Sequence, residues 1–207
     1  MSITIFDHQL SDYSHDLYTI TLDDNFHIET LLTHCPSMVD SWLTETQRIH
    51  RRRLHHLIVG LDVEWRPSYS CHRNPIATLQ LCVGHRCLLF QIMHSPYVPQ
   101  SLIQFLENDC YTFVGVGIAQ DVEKLEDDYG LLVGNAVDLR ELDVDAGLRN
   151  SGLKALAWNV LGIDVEKPKS VTMSRWDDEW LTTSQVSYAS VDAFLSFEIG
   201  RRLNASR

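Results

Sequence analysis

One stretch constrains the fold of this chain more than any other. It runs from Leu57 to Trp65 and reads Leu-Ile-Val-Gly-Leu-Asp-Val-Glu-Trp. Its apolar and β-branched residues predict a buried strand. Because side chains two positions apart share one face of a strand, Asp62 and Glu64 should project together, beside the small Gly60. Neighbouring carboxylates repel each other unless a cation lies between them. The stretch therefore predicts a divalent metal site, against the alternative that the strand end merely reaches solvent.

The opposite face of this strand predicts its anchoring in a core. Leu61, Val63 and Trp65 alternate with the two acids and should point away from them. The alternation favours a core position for the Trp65 ring.

Length and composition predict a globular protein. The chain has 207 residues, 44% of them hydrophobic, which favours one domain with an extension and excludes a disordered chain. No apolar run approaches the length of a membrane span, and the first residues lack the pattern of a secretory signal. We therefore expect a nuclear or cytoplasmic protein that does not enter membranes.

The net charge argues against one class of nucleic-acid-binding protein. The 28 acidic residues outnumber the 17 basic ones, and the formal net charge is −11. A protein that coats duplexes without specificity is basic. We therefore expect this chain to bind polyanions weakly, or through a local patch.

The cysteines predict free thiols and disfavour a zinc site. Five cysteines in a chain without a secretory pattern are typical of reduced thiols. One group of cysteines and histidines is close in sequence, but its spacing matches no paired-ligand pattern of structural zinc sites. Its members are Cys71, His72, Cys82, His85 and Cys87.

The order of the predicted elements indicates a mixed α/β sheet with helices on its faces. Strands are predicted over 17–22, 26–32, 57–65, 76–83, 86–92 and 111–118, and helices over 38–53, 99–108, 122–130, 153–161 and 184–203. Residues 1–16 are expected to be loosely ordered, 137–139 to form a short strand or a helix start, and 167–180 to form a long loop. We divide the chain into an N-terminal extension over 1–53, a hairpin plus a helix, and a main domain over 54–207.

Carboxylates occur at two further points of chemical interest. Asp121 follows the predicted strand that ends near 118, and Asp192 lies in the middle of the apolar final helix. Tyr188 precedes Asp192 by four residues, so the two share a helix face. Four carboxylates without a histidine or cysteine ligand suit Mg²⁺ or Mn²⁺, and two such ions about 3.5–4 Å apart serve in-line phosphoryl displacement.

Each of these residues also has a purely structural interpretation. Asp121 could cap the helix that follows it. Tyr188 could be a half-buried core tyrosine. The combination of all the sites is more specific than any single one.

The three acidic sites resemble the three exonuclease motifs of the DEDDy 3′-5′ exonucleases, a family with an RNase H-like (DnaQ-like) fold. The matching segments are Asp62-Val63-Glu64-Trp65, Gly115-Val116-Gly117-Ile118 followed by Asp121, and Tyr188-Ala189-Ser190-Val191-Asp192-Ala193. The likeness covers about 57–203 and is strongest to the Werner-type exonuclease domains and their stand-alone plant relatives.

The resemblance implies a catalytic mechanism. Asp62, Glu64, Asp121 and Asp192 would bind two Mg²⁺ or Mn²⁺ ions, and Tyr188 would orient the attacking water. The substrate would be nucleic acid with a free 3′ end, with DNA favoured and RNA as an alternative, and each cycle would release a nucleoside 5′-monophosphate.

The resemblance also implies how the substrate is held. The backbone of the first motif, at Val63, would bind the terminal nucleotide. Trp65 and Trp176 are candidates for stacking on its base, and Lys169 and Arg175 for contacting the phosphate backbone.

Two other functions are compatible with the sequence. One is a catalytically weak or silent exonuclease-like domain that serves as an assembly or binding module, which the acidic composition favours. The other is an RNA-processing exonuclease akin to RNase D, since no residue distinguishes ribose from deoxyribose. Relatives of this type can form rings, so a homo-oligomer is compatible with the resemblance.

Overall fold

A computed structural model of the protein describes residues 2–11, 14–23, 25–68, 73–142 and 151–205. The strands of these residues form one mixed sheet in the order β1-β2-β3-β6-β5-β4-β7-β8, with helices on both faces. The predicted α/β architecture is therefore confirmed. In chain order the elements are β1 (Ile3–Asp7), β2 (His15–Leu22), β3 (Phe26–Thr33), α1 (Pro36–Ile49), β4 (Leu57–Glu64), β5 (Thr78–Val83), β6 (Arg86–Phe90), α2 (Gln100–Leu106), β7 (Tyr111–Gly115), α3 (Ile118–Tyr129), β8 (Ala136–Asp138), α4 (Leu153–Leu156), α5 (Lys169–Thr172) and α6 (Thr183–Arg202).

The N-terminal hairpin continues the same sheet. β2 and β3 pair antiparallel as predicted, and β3 pairs parallel with β6. The expectation of a loosely ordered start is wrong for residues 3–7, which form β1 along the edge of β2. Ile3, Ile5 and Phe6 are apolar, but β1 is too short for its pattern to be distinctive. The division of the chain at residue 53 stays a prediction.

The junction between β7 and α3 differs from the predicted one. The strand ends at Gly115 and not at residue 118, because Gly117 adopts a left-handed conformation with φ of 73° and serves as the N-cap of α3. Asp121 consequently lies inside the first turn of the helix and does not cap it. The carboxylate of Asp138 accepts the Gly117 N–H at 3.0 Å and holds this junction in place.

β4 is an interior strand of the sheet, between β5 and β7, and lies between two helical layers. Val59, Leu61 and Val63 are buried on the side of α1, α2 and α3. Gly60 faces α6 on the other side. The predicted alternation therefore holds within the strand, but β4 ends at Glu64 and Trp65 lies beyond it. The prediction that Trp65 is a core residue is wrong, since this ring is 36% exposed.

α6 begins with a capping box and approaches β4 closely. The Thr182 hydroxyl accepts the Gln185 N–H, and the Gln185 side chain accepts the Thr182 N–H. An added Cβ at Gly60 would lie 2.0 Å from the Ala193 carbonyl oxygen and 2.7 Å from the Phe197 nitrogen. Only glycine therefore allows α6 this near to the strand that carries Asp62. No helix of the described segments is both long enough and apolar enough to cross a bilayer.

Gly60→Ala is expected to destabilise the fold strongly. The clash is with helix backbone, which cannot rotate away, so the free energy of unfolding should fall by about 3 kcal/mol and the thermal midpoint by roughly 6–12 °C. Gly152→Ala is the matched control, because its Cβ would meet no atom within 4 Å. Thermal unfolding of the two variants measures the difference; equal midpoints would contradict a close α6–β4 approach.

Candidate active site

Three carboxylates converge where β4 meets α6. Asp62 and Glu64 project from the α6 side of β4, and Asp192 projects from α6 towards them. One oxygen of each lies within 4.8 Å of the others; we call these three residues the carboxylate cluster. Asp192 is buried and the two strand acids are half-buried. An all-oxygen donor set of this kind fits Mg²⁺ or Mn²⁺.

Asp121 faces the same cleft from α3 without being a member of the carboxylate cluster. It lines, together with Asp62 and Glu64, a cavity of about 410 Å³ at the end of β4, the strand-end cavity. Its charge helps to raise the pKa of Asp62. Three of the four predicted acids therefore have oxygens within 4.8 Å of one another, and Asp121 lies across the strand-end cavity from Asp62 and Glu64.

The environment disfavours the charged form of each acid. Burial and the charges of Asp192 and Asp121 raise the pKa of Asp62 well above its usual range. Burial and the neighbouring Asp62 raise the pKa of Glu64 to about 10. Burial and the charge of Asp138 raise the pKa of Asp121 to about 7. Burial and mutual repulsion both disfavour ionised acids in this cleft. A bound multivalent cation would offset both effects, so the cleft fits such an ion.

The pKa shifts predict how the stability of the metal-free protein depends on pH. The ordinary pKa values of Asp121 and Glu64 are 3.8 and 4.5, and the folded values are about 7 and about 10. The folded state thus keeps protons that the unfolded chain releases, so the free energy of unfolding falls as pH rises across this interval.

Thermal unfolding in chelator between pH 5.5 and 8.5 tests this dependence. The midpoint should fall with rising pH, and saturating Mg²⁺ should reduce the slope because the ion favours the charged carboxylates. The Glu64→Gln variant should show a shallower fall than the parent. A midpoint that rises over this interval would contradict the crowding of acids.

Lys167 is a member of the site that sequence reasoning missed. Its Nζ lies 2.5 Å from an Asp192 carboxylate oxygen and 5.4 Å from the centre of the Tyr188 ring. Burial lowers the pKa of Lys167, but the charge and hydrogen bond of Asp192, with Asp62 and Glu64, outweigh it and raise the pKa. No local pattern marks this lysine, since its partners are distant in sequence and it lies in a segment of mixed charge.

Tyr188 lies on the face of α6 that carries Asp192, as its spacing predicts. The two side chains interact electrostatically with each other. Burial and the charges of Asp192, Glu64 and Asp62 raise the pKa of the Tyr188 hydroxyl. The phenol therefore keeps its proton and can donate it in a hydrogen bond, but it is a poor general base.

The two tryptophans proposed to stack on a base have opposite environments. Trp65 lines the strand-end cavity, and the Lys124 ammonium lies 5.2 Å from the centre of its ring. Trp176 is completely buried, 6.1 Å from the Tyr188 ring between centroids. We therefore correct the proposal for Trp176: it supports Tyr188 from the core and presents no face to a base. Met173, which sequence reasoning missed, is 51% exposed and lines the same cavity as Trp65.

The remaining substrate candidates lie around the cleft. The Val63 side chain is buried in the core, so only its backbone can face the cavity. Lys169 is exposed at the start of α5. Arg175 is exposed and paired with Asp178 at 3.0 Å.

Two members of the cysteine and histidine group lie next to each other in the sheet. Cys82 and Cys87 are partners across the β5–β6 turn, and both are buried free thiols. Cys71 and His72 lie outside the described residues. In the part of the chain that the structure describes, the carboxylate cluster alone has the spacing of a metal site.

Comparisons with known proteins agree with this geometry. The 3′-5′ exonuclease family model matches residues 36–206. The chain is 35% identical to a 3′-5′ exonuclease of Arabidopsis thaliana over 146 residues, which are 68% of this chain and 50% of that protein. It is 35% identical over 151 residues to the bifunctional 3′-5′ exonuclease/ATP-dependent helicase WRN of Mus musculus, covering 70% of this chain and 11% of the relative.

The chain is also similar to a third relative and to two solved structures. Exonuclease 3′-5′ domain-containing protein 2 of Drosophila melanogaster is 36% identical over 148 residues, 70% of this chain and 25% of that protein, so the chain spans half or less of these curated relatives. The EXD2 exonuclease domain, soaked in Mg and GMP, is 28% identical with a TM-score of 0.50, covering 84% of this chain and 87% of that one. Escherichia coli RNase D, at 18% identity, shares the fold with a TM-score of 0.67 over 81% of this chain and 43% of its own.

With its carboxylate-lined cleft on an RNase H-like sheet, the chain belongs to the 3′-5′ exonuclease family of hydrolases.

Proposed function

We propose that this chain is a metal-dependent exonuclease that removes nucleotides one at a time from nucleic acid with a free 3′ end. The observation that carries the proposal is the carboxylate cluster, with Tyr188 one helical turn before its buried member, Asp192, on the same face of α6. Three acids within 4.8 Å of one another on a nuclease fold are a metal-binding arrangement that a purely structural role does not require.

Two divalent ions would complete this site. Asp62, Glu64 and Asp192 would hold one, and Asp121 would share the second with Asp62 across the strand-end cavity. Bound ions of this type lower the pKa of an attacking water and neutralise charge that develops on the phosphate. The solved EXD2 domain soaked in Mg and GMP supports the choice of Mg²⁺ and of a nucleoside monophosphate as product.

The reaction is a hydrolysis of the terminal phosphodiester. The water oxygen bonds to phosphorus, the bond from phosphorus to the 3′ oxygen of the preceding nucleotide breaks, and that oxygen takes a proton. The products are a nucleoside 5′-monophosphate and a strand with a new 3′ hydroxyl. Tyr188, which keeps its proton, would orient the water through its hydroxyl and would be oriented in turn by Asp192.

The strand-end cavity is the place for the terminal nucleotide. Its volume of about 410 Å³ suits one nucleotide, and Trp65 and Met173 give it apolar walls for a base. The Val63 backbone would lie along the nucleotide, and Lys169 and Arg175 would meet phosphates further along the strand. DNA is the favoured substrate through the Werner-type resemblance, and RNA is the alternative.

A second function is favoured by one observation. The Lys167 ammonium neutralises part of the carboxylate cluster without any metal, as a catalytically silent module would need. Such a domain would bind partners or nucleic acid without hydrolysis.

Incubation of the pure chain with strands labelled at either end distinguishes the two functions. Single-stranded and recessed DNA, and RNA, are treated with Mg²⁺, Mn²⁺ or chelator. We expect loss of the 3′ label first, release of 5′-monophosphates, and no reaction in chelator. Intact strands under every metal condition would reject the exonuclease and leave the binding module.

A further inference from the structure

We infer that Lys167 is a built-in counter-ion of the carboxylate cluster, one that a divalent metal must displace in order to bind. The inference deepens the proposed function, because it concerns the same metal site. It makes Lys167 a residue that keeps the metal-free protein folded and at the same time weakens metal binding.

The contacts place the Lys167 ammonium among the ligands themselves. Its Nζ is 2.5 Å from an oxygen of Asp192, a carboxylate with only 4% of its side chain exposed. It also interacts electrostatically with Asp62 and Glu64. A lysine on the rim of a cleft would point into water, whereas this one bonds to the most buried acid of the cluster. A carboxylate oxygen that accepts a hydrogen bond from the ammonium is less available as a metal ligand.

The Lys167 side chain has space into which it can move when a metal binds. The Lys167 side chain is 30% exposed. Lys167 lies between the buried Val165 and Pro168, just before α5 begins. Asp192 and Tyr188, beside which the ammonium lies, also line a cavity of about 360 Å³ together with Glu166 and Pro168. We expect a displaced ammonium to turn towards this cavity or into solvent, since 30% of the side chain is already exposed.

The charges explain why the exchange favours metal when metal is present. When all four acids are ionised, as metal ligands must be, one ammonium offsets only a quarter of their charge, whereas two divalent ions offset all of it. Without metal, however, the lysine is the cation that the buried Asp192 depends on. Lys167 thus competes with the metal and limits its affinity.

The test compares Lys167→Met with Lys154→Met, which removes the same charge from an exposed ion pair with Asp164. Mn²⁺ binding is measured by calorimetry, and thermal unfolding is measured in chelator and at saturating Mn²⁺. We expect Lys167→Met to bind Mn²⁺ about 10- to 100-fold more tightly than the parent, as for loss of a close charged competitor. It should unfold earlier than the parent in chelator, but no earlier with Mn²⁺, and Lys154→Met should resemble the parent throughout.

Two results would overturn the inference. One is a Lys167→Met variant that binds Mn²⁺ no more tightly than Lys154→Met. The other is an equal loss of stability with and without Mn²⁺, which is the behaviour of a purely structural ion pair. If the parent binds Mn²⁺ and the Lys167 effect is seen but strands stay intact, the exonuclease proposal fails and the counter-ion inference stands.

A measurement on the unaltered chain covers the case in which Lys167→Met does not fold. Amine-reactive labelling with mass spectrometry reports the accessibility of each lysine during a Mn²⁺ titration. Lys167 should react more slowly than Lys154 in chelator and should become more reactive as Mn²⁺ binds. A Lys167 that stays protected at saturating Mn²⁺ would show that the ammonium is not displaced.

Discussion

Asp62→Asn is expected to abolish exonuclease activity, by at least about 10³-fold, while leaving the metal-free protein as stable as the parent or more stable. The activity should be lost because Asp62 interacts with both Asp192 and Asp121 and would be a ligand of both metal ions. The stability is kept because burial and the neighbouring acids raise the pKa of Asp62, so keeping this acid in the metal-free cleft costs free energy at neutral pH. The amide has the same size and avoids that cost. Opposite signs for activity and stability distinguish a metal ligand from a structural acid.

The measurements are turnover at saturating Mg²⁺, Mn²⁺ affinity, and the thermal midpoint in chelator. Asp127→Asn is the matched control, because Asp127 is exposed on α3. It should retain parental turnover and affinity. Parental activity of Asp62→Asn would place the chemistry at another site or in a contaminating nuclease.

Tyr188→Phe is expected to lower turnover by about 10²–10⁴-fold if the hydroxyl orients the attacking water. The ring and its packing on Trp176 are kept, and only the hydroxyl and its interaction with Asp192 are lost. The free energy of unfolding should therefore fall by no more than about 2 kcal/mol, and Mn²⁺ should still bind. The effect should appear in the rate of hydrolysis and not in metal affinity.

Tyr111→Phe provides the comparison for this variant. The Tyr111 hydroxyl accepts a hydrogen bond from Gln47 at 3.2 Å, and the residue pairs with Leu57 at the end of β4 away from the acids. Its loss should change stability slightly and turnover not at all. A turnover of Tyr188→Phe within about twofold of the parent, under 1 kcal/mol in barrier, would remove the hydroxyl from the mechanism.

Local patterns predicted well the elements that carry the site. The alternation in β4 placed Asp62 and Glu64 on one face, and the spacing in α6 placed Tyr188 and Asp192 on another. These assignments succeed because the periods of strands and helices are properties of the backbone, which the sequence alone reveals. That the two faces would meet came from the family resemblance, and the convergence at the carboxylate cluster agrees with it.

Positions beyond the ends of regular elements were predicted less well. Trp65 was expected in the core, but β4 stops one residue earlier and the ring enters the cavity. Trp176 was expected at the substrate, but it lies in the core beneath Tyr188. Beyond the end of a strand or helix, the direction of a side chain depends on tertiary packing and not on the backbone period. One of the two tryptophans is therefore exposed in the cavity, and the other is buried in the core.

The sequence by itself thus determined the fold class, the acids of the site and the tyrosine that accompanies them. Only the tertiary structure decided which of these acids touch, which tryptophan faces the cleft, and that Lys167 supplies the counter-charge of Asp192. The reason is physical: the lysine and the aspartate are 25 residues apart, and burial, not spacing, selects the ion pair.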